Sequence, residues 1–141
     1  MNKVAIVYWS GTGNTEQMAQ CIAQGVQEAG SEAVLLSPAE FSADSFRDYG
    51  AVAFGCPAMG SEVLEEAEFE PMFASIEGVL GGKKIALFGS YGGGDGQWMR
   101  DWGERCANAN LYDENGLIVN DAPDEEAQAA CRELGAGLAK W

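Results

Sequence analysis

Short apolar runs alternate with helix-period segments along the whole chain. Val4–Tyr8 is a hydrophobic strand, and Glu16–Ala29 follows as a helix stopped by Gly30, a residue suited to helix C-termini. Ala33–Leu36 predicts a second strand and Ala43–Tyr49 a short helix. Ala51–Gly55 is a third strand, followed by a long loop to Glu66 and a helix over Phe69–Val79. Lys84–Gly89 is a fourth strand, succeeded by a glycine-rich loop and a helix over Gln97–Ala107. Leu117–Val119 belongs to a fifth strand, and Asp124–Leu138 is the closing helix, with Asp124 as its N-cap.

The strands read as near-continuous apolar runs rather than alternating ones. Such strands are buried on both faces, as in a parallel sheet covered by helices. Five of them with intervening helices predict an α/β fold, a doubly wound five-stranded parallel sheet. Nothing reads as a linker, repeat or low-complexity tract, so residues 1–141 are expected to form a single domain. Ligands of such sheets gather beyond the carboxyl ends of the strands, where the strand order switches. That directs attention to the loops over residues 9–15, 56–66 and 89–97.

Composition narrows the picture. The 141 residues suit one core, and 47% hydrophobic content is that of a globular chain. No apolar run approaches bilayer length, and Met1-Asn2-Lys3 leads straight into the first strand without a signal-peptide layout. A soluble, cytoplasmic protein is expected. Histidine is absent, which removes the commonest general base and metal ligand. The four cysteines form no Cys-x-x-Cys pair, which argues against zinc or dithiol chemistry. Cys21, Cys106 and Cys131 fall in helical patterns, where a buried thiol behaves as a small apolar residue. The net charge of −14 repels nucleic acid and anionic membranes and suits attraction to basic protein surfaces.

The first loop, Trp9-Ser10-Gly11-Thr12-Gly13-Asn14-Thr15, joins a strand to a helix. Gly11 and Gly13 permit turns that expose backbone N–H groups; Ser10, Thr12, Asn14 and Thr15 add side-chain donors, and the helix dipole points its positive end at the same spot. Together they form a nest for a phosphate. Asn14 stands where a P-loop needs lysine, and Glu16 where a dinucleotide fingerprint needs its third small residue. No Lys or Arg lies in 9–15, so neutral donors must hold the anion. The plainer reading, an ordinary capped strand–turn–helix junction, needs fewer donors than this loop supplies.

Tyr8-Trp9-Ser10-Gly11-Thr12-Gly13-Asn14-Thr15 closely resembles the FMN-phosphate loop of flavodoxins. The resemblance continues through Gly55-Cys56-Pro57-Ala58-Met59-Gly60-Ser61-Glu62, Leu87-Phe88-Gly89-Ser90-Tyr91-Gly92, and Ile118-Val119-Asn120 with Pro123-Asp124. It spans essentially the whole chain and is of the short-chain, clostridial kind, the fifth strand lacking the long insertion of the other class. It implies strand order 2-1-3-4-5, one non-covalent FMN, and a low-potential one-electron carrier rather than an enzyme. The residues it implies for the cofactor are Ser10 to Thr15, Pro57 to Glu62, Ser90, Tyr91, Gly92, Gly93, Asp95 and Asn120.

Within the second loop, Met59-Gly60-Ser61-Glu62 reads as a tight turn with Gly60 at the positive-φ position of a type II′ turn. In the family, the Gly-Ser type of peptide here flips so that its carbonyl accepts a hydrogen bond from flavin N5–H in the one-electron-reduced form. A neutral bond is worth about 0.5–1.5 kcal/mol, a shift of about tens of millivolts in a one-electron potential. Met59 resembles the residue packed on the inner ring face, its thioether suited to an aromatic surface, and Glu62 the carboxylate that accepts flavin N3–H. Read alone, the loop would be a plain turn with an exposed glutamate.

The third loop departs from the family. Gly93 stands where related short-chain members usually carry a tryptophan over the outer ring face. Either Tyr91 or Trp98 moves over the flavin, or that face lies open; Trp98, placed as a core residue at a helix start, favours the open face. Weaker FMN binding and less quenched fluorescence are expected, since stacking adds about 0.5–1.5 kcal/mol.

Acidic residues gather at the expected ligand end. Glu62, Glu65, Glu66, Glu68 and Glu70 follow the third strand, Asp95 the fourth, and Asp121, Asp124, Glu125 and Glu126 the fifth. Lys3, Lys83 and Lys84 stand at the opposite, amino ends. Negative charge around the cofactor disfavours a second electron and favours transient docking of the basic surfaces of redox enzymes; the bland alternative is a set of solvated faces. Transient docking implies a monomer. Two other functions compete: a small FMN-dependent NAD(P)H reductase acting on quinones or nitro compounds, favoured only by Gly93, and an FMN-free binding module on the same fold.

Overall fold

The computed structural model describes residues 3–141; the expected lead-in at Met1 and Asn2 lies outside them. The chain runs β1 (Lys3–Tyr8), α1 (Asn14–Glu28), β2 (Glu32–Leu36), β3 (Ala51–Gly55), α2 (Phe69–Ile76), β4 (Lys84–Tyr91), α3 (Gln97–Arg105), β5 (Asn110–Leu111), β6 (Leu117–Asn120) and α4 (Glu125–Lys140). The sheet order is β2-β1-β3-β4-β5, with β6 also pairing β4, and every pairing is parallel. The expected α/β architecture and order are therefore present.

Alternation along the strands divides the core into two halves. Ala5, Val7, Val52, Phe54, Ile85 and Leu87 point to one side and pack against Phe69, Phe73, Trp98 and Trp102 of α2 and α3. Val4, Ile6, Ala51, Ala53, Ala86 and Phe88 point to the other and pack against α1 and α4. Because both faces are covered, Val4 to Val7 and all of β3 are buried, which explains their unbroken apolar runs. On the second face α1 and α4 touch backbone to backbone: a Cβ on Gly25 would strike the Arg132 carbonyl, and one on Gly135 the Ile22 carbonyl.

Several boundaries differ from the sequence expectation. β4 runs on to Tyr91, so Ser90 and Tyr91 are strand residues rather than loop residues. The fifth strand is built in two pieces, with Ile85 paired to Leu111 and Phe88 to Leu117, so residues 112–116 loop out opposite Ala86 and Leu87. Asp113 closes that loop by accepting the Gly116 N–H at 3.1 Å, with Gly116 at φ 71°. The helix expected over Ala43–Tyr49 is a run of 3-10 turns over Ala43–Asp48, preceded by another over Pro38–Glu40. That over Phe69–Val79 tightens to 3-10 geometry at Glu77–Val79.

Candidate cofactor-binding site

Three loops converge beyond the carboxyl ends of β1, β3 and β4, and Ser90 fastens them. Its N–H donates to Thr15 Oγ1 at 3.3 Å, its carbonyl accepts the Ala58 N–H at 3.0 Å, and its hydroxyl donates to the Asp121 carbonyl at 2.8 Å. Between the loops lies a cleft of about 390 Å³, lined by Gly11, Thr12, Asn14, Pro57, Ala58 and Met59 on one side and Ser90, Tyr91 and Gly92 on the other. A second hollow of about 360 Å³, bounded by Ala58, Met59, Gly60, Glu62 and Gly92 to Gly94, continues it.

At the first loop, α1 opens after Gly13, whose φ of 103° is left-handed. No acceptor among the described residues takes the backbone N–H of Gly11, Thr12, Gly13, Asn14 or Thr15. The next N–H, that of Glu16, is taken by Ser10 Oγ at 3.1 Å, and Gln17 bonds back to the Gly13 carbonyl at 3.0 Å. Five consecutive free donors at the positive end of a helix, with no cation beside them in sequence, suit the monophosphate tail of an FMN. Thr15 is buried, and its Oγ1 accepts from Ser90 while its own proton stays available.

The second loop differs from the expected turn. Glu62 N–H bonds to the Met59 carbonyl at 2.8 Å and Met59 N–H to Val63 at 3.0 Å, yet Gly60 does not have positive φ. The left-handed residue is Glu62, at φ 57°. The arrangement is a four-residue turn, Met59–Glu62, whose last residue is left-handed, and closing the Met59–Val63 bond demands the reversal there rather than at Gly60. Gly60 and Ser61 are exposed, with nothing within 4 Å of a Cβ placed on Gly60, so the peptide between them has room to rotate. Glu62 reaches across to α3, where its Oε2 accepts the Trp98 N–H at 2.9 Å.

The third loop is bare. Gly93 is exposed and a Cβ there would meet nothing within 4 Å. Trp98 is 1% exposed, and its indole N–H donates to the Cys56 carbonyl at 3.1 Å, so it is committed to the core. Tyr91 lines the cleft with its ring 5.6 Å from that of Trp98. Asn120 lies outside the cleft lining; its amide donates to the Tyr91 and Gly92 carbonyls at 3.3 and 2.9 Å and so clamps this loop. Asp95 is exposed and paired with Arg100 at 3.1 Å. Sequence reasoning missed Trp9, Asp121 and Gly94 as lining residues. For Asp121 a signal lay in its place beside Asn120; its φ of 58° is the mark of a sharp turn.

Several acids of the expected rim have other partners. Glu65 is buried and its carboxylate accepts the N–H groups of Ala67, Glu68 and Phe69 at 2.7, 2.8 and 2.8 Å. Burial opposes its charge, but these donors together hold its pKa below the ordinary value. Glu70 is bound by Arg105 at 2.7 Å, and Asp124 Oδ1 caps α4 through the Ala127 N–H at 2.8 Å. Glu66, Glu68, Asp121, Glu125 and Glu126 remain exposed. Burial pushes the thiols of Cys56, Cys106 and Cys131 up to about 12, which makes them inert packing residues. Among the described residues, no helix is long and apolar enough to cross a membrane.

Residues 6–135 match the family model described as Flavodoxin. The chain is 48% identical over 135 residues to a flavodoxin of Clostridium beijerinckii, covering 95% of this chain and 97% of that one. It is 43% identical over 137 residues to a flavodoxin of Megasphaera elsdenii, covering 97% and 98%. The solution structure of two-electron reduced Megasphaera elsdenii flavodoxin superposes with a TM-score of 0.86 at 42% identity, covering 98% of this chain and 99% of that one.

Proposed function

The chain belongs to the flavodoxin family, and from that premise we propose that it holds one FMN in the cleft beyond β1, β3 and β4 and carries single electrons at low potential between redox enzymes. The bound flavin supplies the chemistry, taking up and releasing electrons one at a time. The chain's own residues bind it, orient it and set the electrostatics around it.

The observation that carries this reading is the row of five unclaimed N–H groups, Gly11 to Thr15, of which Gly11, Thr12 and Asn14 line the cleft, with no cation beside them in sequence. With the hydroxyls of Ser10, Thr12 and Thr15 and the Asn14 amide, they hold the phosphate. Pro57, Ala58, Tyr91 and Gly92 wall the cleft, and Ser90 fixes its shape. Met59 would pack against the flavin ring, and Glu62 would accept a hydrogen bond from a ring N–H. The Gly60–Ser61 peptide has room to turn, and its carbonyl would be available as an acceptor to a ring N–H. Gly93 leaves the outer face bare, while Asp95 and Asn120 hold the third loop from behind.

The exposed acids Glu66, Glu68, Asp121, Glu125 and Glu126 raise the energy of any added negative charge in the cleft, which lowers the potential of the second electron. The same surface attracts basic partners over the flavin end and speeds their encounter. Lys3, Lys83 and Lys84 are held away from it, each over an aromatic ring at 5.7–5.8 Å. Residues 1–141 act as one such domain, monomeric and cytoplasmic.

Titrating the apoprotein with FMN tests the proposal. Saturable uptake of one equivalent, giving a yellow protein that is reduced in two one-electron stages, is the expected result. A titration without saturation overturns it. Mixing the yellow protein with NAD(P)H under anaerobic conditions should leave the colour unchanged; direct bleaching would make the protein a reductase instead.

A further inference from the structure

The Glu62 carboxylate does not stand free at the rim. It crosses the third loop to the N-terminus of α3, where Oε2 accepts the Trp98 N–H at 2.9 Å. Its path passes over Gly94: a Cβ built there would fall on Glu62 Oε1 and Cδ. Gly94 itself is not in the left-handed region, so an alanine at this position would meet no backbone penalty, only the carboxylate. Glu62 is left-handed at φ 57°, a conformation that residues with side chains avoid unless their surroundings impose it. The donor is fixed as well, because buried Trp98 is tied through its indole to the Cys56 carbonyl at the end of β3.

We infer that Gly94 is a positioning residue: the side chain it lacks is the berth of the Glu62 carboxylate, which that berth aims at the cleft. A carboxylate has about four lone-pair sites, and the Trp98 N–H occupies one. An ionised carboxylate can only accept. Glu62 lines the hollow together with Met59, Gly60 and Gly92 to Gly94, so the remaining lone pairs are available to a ligand there. This inference rests on the proposed FMN site, where Glu62 faces a ring N–H. The second loop thereby depends on a glycine in the third.

The test is a double-mutant cycle of Gly94→Ala and Glu62→Ala, read in both the apoprotein and the FMN-loaded protein. In the apoprotein, Gly94→Ala should move the Trp98 backbone amide proton upfield and speed its exchange, and Glu62→Ala should do the same. In the loaded protein it should weaken FMN affinity by about tenfold or more, the cost of losing a bond to a charged group, and shift the FMN midpoint potential. In the Glu62→Ala background, Gly94→Ala should cost nothing further. A second background, Glu62→Asp, should relieve the alanine because the shorter side chain clears it. An unchanged Trp98 amide, or affinity losses that simply add, would overturn the inference. If even the unaltered protein takes up no FMN, the proposed function fails, while the Trp98 amide still decides whether Gly94 is the berth.

Discussion

The Ser90 hydroxyl donates to the Asp121 carbonyl at 2.8 Å, so the end of β4 and the left-handed turn after β6 are one unit. The same residue's N–H and carbonyl reach Thr15 and Ala58. One serine thus sets the relative position of all three loops around the cleft. Ser90→Ala removes only the hydroxyl bond and leaves both backbone bonds. It should cost about 1 kcal/mol of apoprotein stability and weaken FMN binding several-fold. Urea unfolding and an FMN titration check this; unchanged values in both would place the tie elsewhere.

Gly93→Trp should work in the opposite direction. The position is exposed, open around Cβ and free of left-handed strain, so the indole can be accommodated without displacing neighbours. Laid over the ring, it should tighten FMN binding by about three- to tenfold and deepen the quenching of flavin fluorescence. Fluorescence titration of both proteins measures the two effects together. A variant matching the parent in both would show that this position does not face the ring.

The strands and the donor-rich first strand–helix junction were legible because each rests on a local rule, whereas the strand order followed from the family resemblance. Unbroken apolar runs mark strands covered on both faces, and glycines among hydroxyls at a strand–helix junction mark an anion nest. What the sequence concealed depends on distant partners. Asn110-Leu111 is too short to show any period, and it becomes a strand only because Lys84 and Ile85 lie alongside. Gly60 looked like the reversal point of its turn, yet the reversal sits at Glu62, drawn there by Met59–Val63 pairing and by Trp98. Asn120 has a structural task that its sequence position does not announce: its amide clamps the Tyr91–Gly92 backbone. The acidic rim likewise split into exposed residues and those already bound to a helix end or an arginine.

Arg105 holds one of those acids, Glu70, together with Glu77. Its guanidinium pairs with both oxygens of Glu70 at 2.7 Å and with Glu77 at 2.8 Å, and stacks over Phe73 at 5.1 Å. Both carboxylates remain partly exposed, so solvent screens the pairs and the fork geometry supplies most of the gain. Arg105→Lys keeps the charge but loses the fork, and should destabilise the protein by about 1 kcal/mol with FMN affinity unchanged. Thermal melting beside an FMN titration separates the two; an equal loss of affinity would mean α3 transmits strain to the cleft.

Glu65 makes stability depend on pH in a defined direction. Burial alone would raise its pKa, but the Ala67, Glu68 and Phe69 N–H groups outweigh burial and hold the folded value below the ordinary 4.5. The unfolded chain therefore takes up this proton first as pH falls. The stabilisation from Glu65 is complete above about 4.5 and is lost as pH drops through the lower folded value. Glu65→Gln offers one acceptor oxygen to three donors and introduces an amide that cannot accept, so at pH 7 it should cost about 1–3 kcal/mol. The other carboxylates titrate alike in both proteins, and the difference between their unfolding free energies isolates this one. That difference should be level from pH 7 to about 5 and shrink below 4.5. Urea unfolding across this range measures it, and a gap that stays constant down to about pH 3 would show that the α2 cap does not depend on the charge.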